Sequence, residues 1–338
     1  MTSLTLIRNC GRDHSVAGFP AWAMVLVCLL SAGTAIAHLP ESGPQGMAFR
    51  FPDGLQPTID GDLNDWDLTG PPALSTTHFH DLVADADADP EDFDVSVWIG
   101  WNEAENLLYF AAEVIDDLHQ VDRPEGTATS RIFLDDDMQV YVDADHSGGQ
   151  YADFSELSAS EQLSLNGTQA HHFILGGPHP DGDFFVHFSG AAWYALEDGP
   201  HTKAALSFSG IPGGPGVTRY ELSVRPFDRT NVTADFLSAM HTLAEGQTLG
   251  FNLEFSDFDA LSQVFDAKWS LSGGQNAFRF SERFADLYLL PLDDRFKETG
   301  VEAVTWARIK ASFAPGQLLY LDNSSDKPIG PLGGHSGR

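Results

Sequence analysis

An all-β fold, an antiparallel β-sandwich of jelly-roll type, is what three features of this 338-residue chain predict. Phe and Gly are abundant, at 24 and 32 residues, whereas Lys and Arg together number 18, a composition of strands and turns rather than of charged helices. Short apolar, β-prone runs recur between turn signals. The clearest of them, Asp94 to Trp101, alternates strictly: Val95, Val97, Ile99 and Trp101 face one way, and Asp94, Ser96, Trp98 and Gly100 the other. That is a half-buried strand with Trp101 in the core and Trp98 on the face open to solvent.

Residues 1–37 read as an export signal. Arg8 and Arg12 form a basic region, Ala21 to Leu30 an apolar run, and Ala35-Ile36-Ala37 a small-residue cleavage site, so the mature chain is expected to begin near His38, secreted, periplasmic or at the cell surface. Residues 38–56, rich in Pro and Gly, read as a linker or leader strand, with the folded domain spanning 57–292 and starting near Thr58. Its expected strands are Asp94 to Trp101, Leu107 to Ile115, Met138 to Val142, His172 to Leu175, Phe184 to Phe188, Ala191 to Tyr194, Arg219 to Val224, Leu249 to Phe255 and Phe284 to Leu290. Some nine short strands imply a sandwich. The Gly/Pro-rich stretch 195–218 reads as a long loop. Within 293–315, Thr305 to Phe313 places Trp306, Ile309 and Phe313 on one face of a short helix that can dock on the sandwich or on a protein partner. Residues 316–338 read as a disordered tail.

A formal net charge of −31 argues against nucleic acid and anionic membranes as partners. It suits cations, neutral ligands or plain solubility. Both cysteines, Cys10 and Cys28, fall in the signal, so neither thiol chemistry nor a disulfide is expected after cleavage. No later apolar run approaches the ~18 residues of a membrane span. Nucleophile elbow, phosphate loop and dinucleotide fingerprint are all missing after the signal, and with 49 acidic residues a pair of carboxylates is uninformative, so nothing demands catalysis.

The most informative segment is Arg131 to Gly149, RIFLDDDMQVYVDADHSGG, a strand bracketed by oxygen ligands. Asp143, Asp145, Ser147 and Gly148 reproduce the first half of a calcium loop. Its twelfth position is Phe154 rather than a bidentate Glu, so an ion would recruit Asp153, Glu156 or the upstream Asp135, Asp136 and Asp137. A solvated acidic hairpin loop is the alternative. The run Asp85 to Asp94 reads as a solvated loop, and His78, His80, His171 and His172 form a zinc site only if the fold brings them together. Asn166-Gly167-Thr168 and Asn231-Val232-Thr233 fit the glycosylation pattern at chance frequency.

Four blocks in order resemble the carbohydrate-binding modules of family 9 and their DOMON-like relatives. They are PTIDGDLNDW at 57–66, WIGWNEAENLLYFAAEVIDD at 98–117, the segment 131–149, and TLGFNLEFSD at 248–257 followed by KWSLSGGQNAFRFSERFADLYL at 268–289. The resemblance implies a non-catalytic, calcium-braced β-sandwich that holds a sugar between two aromatic side chains. Matched by motif, the clamp falls on Phe133 and Phe278, and the hydroxyl partners on Gln139, Glu254 and Asn276, with a basic position near Ser164. Aromatic faces suit the CH face of a pyranose. Both clamp positions are Phe where the family has Trp, which alters the implied specificity. Read as residues alone, Phe133 and Phe278 are equally compatible with core packing, and Asn276 with a turn. The same relatives include haem b carriers, for which Met138, Met240, His241 and Lys268 are the axial candidates. A structural surface or assembly domain with a degenerate cleft is the third reading.

Overall fold

The computed structural model describes residues 46–66, 72–179, 182–188, 191–194, 196–211, 213–259 and 265–292. The expected signal, the 305–313 helix and the tail lie outside them. In chain order the strands are Gly46–Arg50 (β1), Leu74–Ser75 (β2), His80–Asp81 (β3), Ala86–Asp87 (β4), Phe93–Asn102 (β5), Leu107–Asp116 (β6), Asp137–Asp143 (β7) and His171–Gly176 (β8). There follow Phe184–His187 (β9), Thr202–Gly210 (β10), Gly216–Val224 (β11), Phe227–Arg229 (β12), Ala239–Met240 (β13), Thr248–Asp257 (β14), Ala267–Ser270 (β15) and Ala285–Leu289 (β16). One helix, Ala159–Leu165 (α1), opens on a Ser158/Glu161 capping box. Among the described residues no helix is long and apolar enough to cross a membrane.

These strands make a two-layered sandwich. In one layer β9, β8, β7 and β14 follow one another antiparallel; beyond β14 the sheet divides, β16 pairing with Thr248 to Phe251 and β15 with Glu254 to Asp257. The other layer runs β10, β11, β6, β5, with β2 on the far side of β5. β1 joins the two: Gly46 to Ala48 pair in parallel with β16, and Phe49 and Arg50 in parallel with β5. A Cβ on Gly100 would collide with the Phe51 ring, so the glycine lets the chain leaving β1 cross β5. The leader segment therefore supplies an interior strand, and the folded unit includes Gly46–Arg50 rather than starting near Thr58.

Alternate side chains fill the space between the layers. Val95, Val97, Ile99 and Trp101 of β5 meet Met138, Val140 and Val142 of β7 and Phe251, Leu253 and Phe255 of β14 in one buried core. Trp98 faces away from this core, as its alternation requires, but is only 6% exposed, against the expectation of an open face. It packs with Phe51, Leu63, Trp66 and Tyr109 under the IDGDLNDW segment. Glu221 of β11 fastens that segment, accepting hydrogen bonds from the Asp60 and Gly61 amides at 2.9 and 2.6 Å and from Trp66 Nε1 at 2.6 Å.

Two further expectations change. Ala191 to Tyr194 is no strand; Ala192–Tyr194 is a 3-10 turn that seats Tyr194 edge-on against Phe173 and Phe227. The stretch 195–218 holds β10, paired with β11 along its whole length, and the glycines of GIPGGPG form the hairpin between them.

The β8–β9 edge carries buried imidazoles. His187 stacks on Phe173 at 4.7 Å and lies 5.4 Å from His171, ring to ring. Neither nitrogen of His187 has a hydrogen-bond partner. Burial holds His171 down to about 4 and, with the neighbouring His171 and His172, holds His187 well below the ordinary imidazole range. The folded state thus keeps these rings neutral while the unfolded chain takes up protons near pH 6.5. Their contribution to stability is full above that pH and is lost as the pH falls toward 4. His187→Phe keeps the ring stack and removes only the unpartnered nitrogens. In urea titrations the variant should be more stable than the wild type at pH 4.5 and no less stable at pH 7; equal loss on acidification in both would show that His187 does not carry the effect.

Candidate functional site: an aromatic-walled cleft

The outer face of the sheet containing β7 and β14 is covered only in part, leaving a cleft of about 750 Å³. Strand alternation decides what lies under it. Because Val140 and Val142 point into the core, Gln139 and Tyr141 point out; pairing of β7 with β14 sets Gln139 opposite Glu254, and β8 adds His172 and Ile174. The same alternation sends His171 inward, so the adjacent histidines do not share a site.

Two loops raise the aromatic walls. Phe133 stands on the 3-10 turn Thr129–Leu134, whose Ile132 and Leu134 are buried beneath it. Phe278 comes from a second loop and is 44% exposed. Its loop turns at Asn276, which adopts φ +66° and accepts hydrogen bonds from the amides of Arg279 and Phe280 at 3.0 and 3.2 Å. Ala277 is buried below, its carbonyl held by the Tyr151 hydroxyl at 3.0 Å. Asn tolerates the left-handed conformation this turn needs, and the exposed Asn276 does not line the cleft. The expected hydroxyl partner is a turn former. Phe133, Phe278 and Gln139 do line one cleft, together with Phe188, Phe265 and Lys268.

The floor is a closed polar network. Gln139 Nε2 donates to Asp137 Oδ1 at 3.1 Å and Ser256 Oγ at 3.0 Å. Its Oε1 lies 3.0 Å from His172 Nε2 and 2.7 Å from the Tyr141 hydroxyl. That hydroxyl is also 2.7 Å from Glu254 Oε2, which pairs with Lys268 Nζ at 2.8 Å. Glu254 Oε1 accepts from Asn252 and Ser270 at 3.1 and 3.3 Å. Every polar atom of Gln139 and Glu254 is thus engaged inside the protein, which makes them the scaffold of the floor rather than free ligand contacts. Burial, and then the Lys268 charge, holds His172 far below the usual imidazole range, so it is neutral. Burial likewise pushes Asp137 up to about 7. Lys268, whose ammonium sits 5.5 Å over the Phe265 ring, is the cation of the cleft. It was legible in the sequence only as a haem candidate.

No protein-family model matches the chain, and no curated protein matches it. Among solved structures it is similar to a carbohydrate binding module family 9 from Caldicellulosiruptor kristjanssonii in complex with cellotriose, at 14% identity over 76% of this chain and 98% of that one, with a TM-score of 0.46. A carbohydrate binding module family 9 from the same organism in complex with glucose is similar at 14% identity over 73% of this chain and 96% of that one, with a TM-score of 0.45.

The six expected metal ligands do not gather. Asp135, Asp136 and Asp137 lie at the start of β7, and Asp143, Asp145 and Ser147 at or beyond its other end, some ~20 Å apart for a seven-residue strand. The second group caps its own turn: Asp143 accepts from the amides of Ser147 and Gly148 at 3.3 and 2.8 Å, Asp145 from the Ser147 amide at 3.2 Å, and Ser147 Oγ from Gln169 at 2.6 Å. Burial pushes Asp143 up to about 6. In the first group Asp135 pairs with Arg123 at 2.9 Å and Asp137 holds Gln139, leaving Asp136. Asp136 instead lies with Asp116 and His119, and two further groupings among the described residues are Asp116, Asp257, Asp259 and Asp92, Asp117, Asp259. The acidic pair closing β6 and the Asp closing β14 were their only sequence signals. The haem candidates separate too: Met138 is in the core, Lys268 is on the cleft face, and Met240 and His241 belong to the β12–β13 ribbon, where His241 pairs with Asp228.

The buried ion pair at the floor is testable. Lys268→Met strands the Glu254 carboxylate and should destabilise the fold by about 3 kcal/mol in urea unfolding, whereas Lys268→Met with Glu254→Gln should recover most of the loss. A neutral single variant would show that Lys268 does not hold the floor.

Proposed function

We propose that this chain is a non-catalytic carbohydrate-binding protein that takes a sugar between Phe133 and Phe278. The observation that carries the reading is that two partly exposed phenyl rings, from separate loops, line one cleft with a polar floor. A pyranose offers apolar CH faces to such rings and hydroxyls to the floor. Gln139 and Glu254 act by fixing that floor; the remaining protons of Lys268 are the natural partners of the sugar oxygens. The nearby carboxylates support binding rather than turnover, since Glu254 is engaged by Lys268 and Asp153 by Arg279 at 3.0 Å. The site works outside the cytoplasm in this reading, after removal of residues 1–37, and the segment 305–313, whose sequence reads as a short helix, is a surface for a protein partner. In this reading the expected calcium would be held by oxygen ligands alone, for which the described residues offer the groupings Asp92, Asp117, Asp259 and Asp116, Asp257, Asp259.

A glycan array followed by calorimetry tests the cleft. The wild type should bind at least one glycan, and Phe133→Ala and Phe278→Ala should each weaken it about tenfold or more with the melting temperature little changed. Binding to no glycan, or equal affinity in both variants, would sink the reading, and a Soret band in the purified protein would select the haem alternative.

A further inference from the structure

We propose, resting on the carbohydrate reading of the cleft, that its ligand is a sugar joined to an aromatic group, for which the cleft has an apolar half beside its polar one. Strand register divides the floor. Gln139 of β7 pairs with Glu254 of β14 on one side and with Ile174 of β8 on the other, and Ile174 pairs in turn with Val186 of β9. From β7 to β15, two strand spacings or ~10 Å, the outward side chains are Gln139, Glu254 and Lys268. From β7 to β9, another ~10 Å, the floor continues as Ile174 and Val186, which offer a ligand no hydrogen bond. His172, one pleat along β8, turns its Nε2 to Gln139 at 3.0 Å and so belongs to the polar half.

The walls beside Ile174 and Val186 are apolar as well. Phe188 directly follows β9, its amide donating to the His172 carbonyl at 3.0 Å, and Leu163 comes from α1, the helix that precedes β8. Both line the cleft. Leu163 is 57% exposed and α1 buries none of its own residues, so this helix brings an apolar side chain to the rim and leaves it uncovered. A second sugar ring laid over Ile174 and Val186 would strip water from its hydroxyls and give them no partner in exchange. The cleft, at about 750 Å³, lies well inside the range that encloses a whole drug-sized ligand, so a sugar over the polar half leaves the apolar half to be filled.

A stack of rings selects an aromatic group over an aliphatic one. Tyr141 lies 4.0 Å from His172 with 17° between the planes, and His172 lies 5.2 Å from Phe188 with 30° between them. Tyr141 and His172 are buried, and the half-buried Phe188 is where the stack reaches the cleft. A flat ring from the ligand can extend it in the offset, near-parallel arrangement that aromatic pairs favour, whereas an aliphatic chain would gain burial alone. The bond between sugar and ring then lies near the Gln139–Ile174 pair, where the polar floor meets the apolar one.

Calorimetry on the full chain tests this with phenol and with the methyl, cyclohexyl and phenyl glycosides of glucose, xylose, galactose and mannose. For at least one of these sugars the phenyl glycoside should bind about tenfold or more tightly than the methyl glycoside, with the cyclohexyl glycoside falling short of the phenyl. Phe188→Ala and Leu163→Asn should each remove most of that gain while the methyl glycoside affinity and the melting temperature hold; Leu163, being exposed, probes the site without disturbing the packing. Phenyl glycosides that bind no better than methyl ones would overturn the proposal. So would cyclohexyl glycosides that match the phenyl ones, or a gain that survives in both variants. Any of these results leaves the carbohydrate reading in place if Phe133→Ala still weakens glycan binding. Phenol bound as tightly as the phenyl glycosides, with no glycan bound, would instead sink the carbohydrate reading and the proposal with it.

Discussion

The register between β7 and β14 is the constraint on which the remaining features depend. Setting Gln139 against Glu254 and Met138 against Phe255 assigns every second residue to the sandwich core and the rest to the outer face. A slip of one residue would put Gln139, Tyr141 and Glu254 among Val97 and Phe110 and turn Phe251 and Phe255 outward. The pairing is therefore enforced from both faces. Inside it is enforced by apolar burial; outside, by a polar network in which each donor has an acceptor, so that displacing one strand would break several bonds at once.

That double enforcement explains why an open cleft can rest on a sheet whose own residues are nearly all buried. The floor cannot adapt, because its polar atoms already have partners. Variation is left to the two loops that carry Phe133 and Phe278, which are braced by buried residues immediately below each ring. A rigid floor with aromatic walls limits the entropy lost when a ring-shaped ligand enters.

The strands that proved legible in the sequence are apolar, β-prone runs set between turn signals: 94–101, 107–115, 138–142, 172–175, 219–224 and 249–255 lie within their observed limits. β10 was not legible, because its sequence TKAALSFSG is half-buried throughout and sits between glycines, and its partner β11 alone makes it a strand. β1 was legible only as one of two readings, linker or leader strand, for a related reason: five residues among Pro and Gly become a strand between the sheets only through contacts with segments far along the chain. Phe133, Phe278 and Gln139, singled out by their match to the family blocks, line one cleft in the structure. Asn276 was misread, since a backbone at φ +66° leaves no trace in the residue type beyond a preference for Asn. The six expected metal residues do not gather, because closeness in sequence is not closeness in space along an extended strand. A strand between two acidic clusters holds them apart, whereas Asp116, Asp136 and Asp257, widely separated in the chain, meet where three strands end.

This last contrast bears on how so acidic a chain stays folded. Most of its carboxylates are on the surface, where separation and solvent screening make repulsion small. At the strand ends of β6, β7 and β14 that remedy fails, because closing the sandwich forces Asp116, Asp136 and Asp257 together and out of water. Burial, with mutual repulsion, pushes Asp136 up, and Asp257 up to about 8. A fold held only by its core would gain by replacing such residues with apolar ones. What Asp136 supplies in return is visible: its carboxylate accepts the Gln120 amide at 2.5 Å and the Phe258 amide at 2.9 Å, and so holds the segments that follow β6 and β14 to the start of β7.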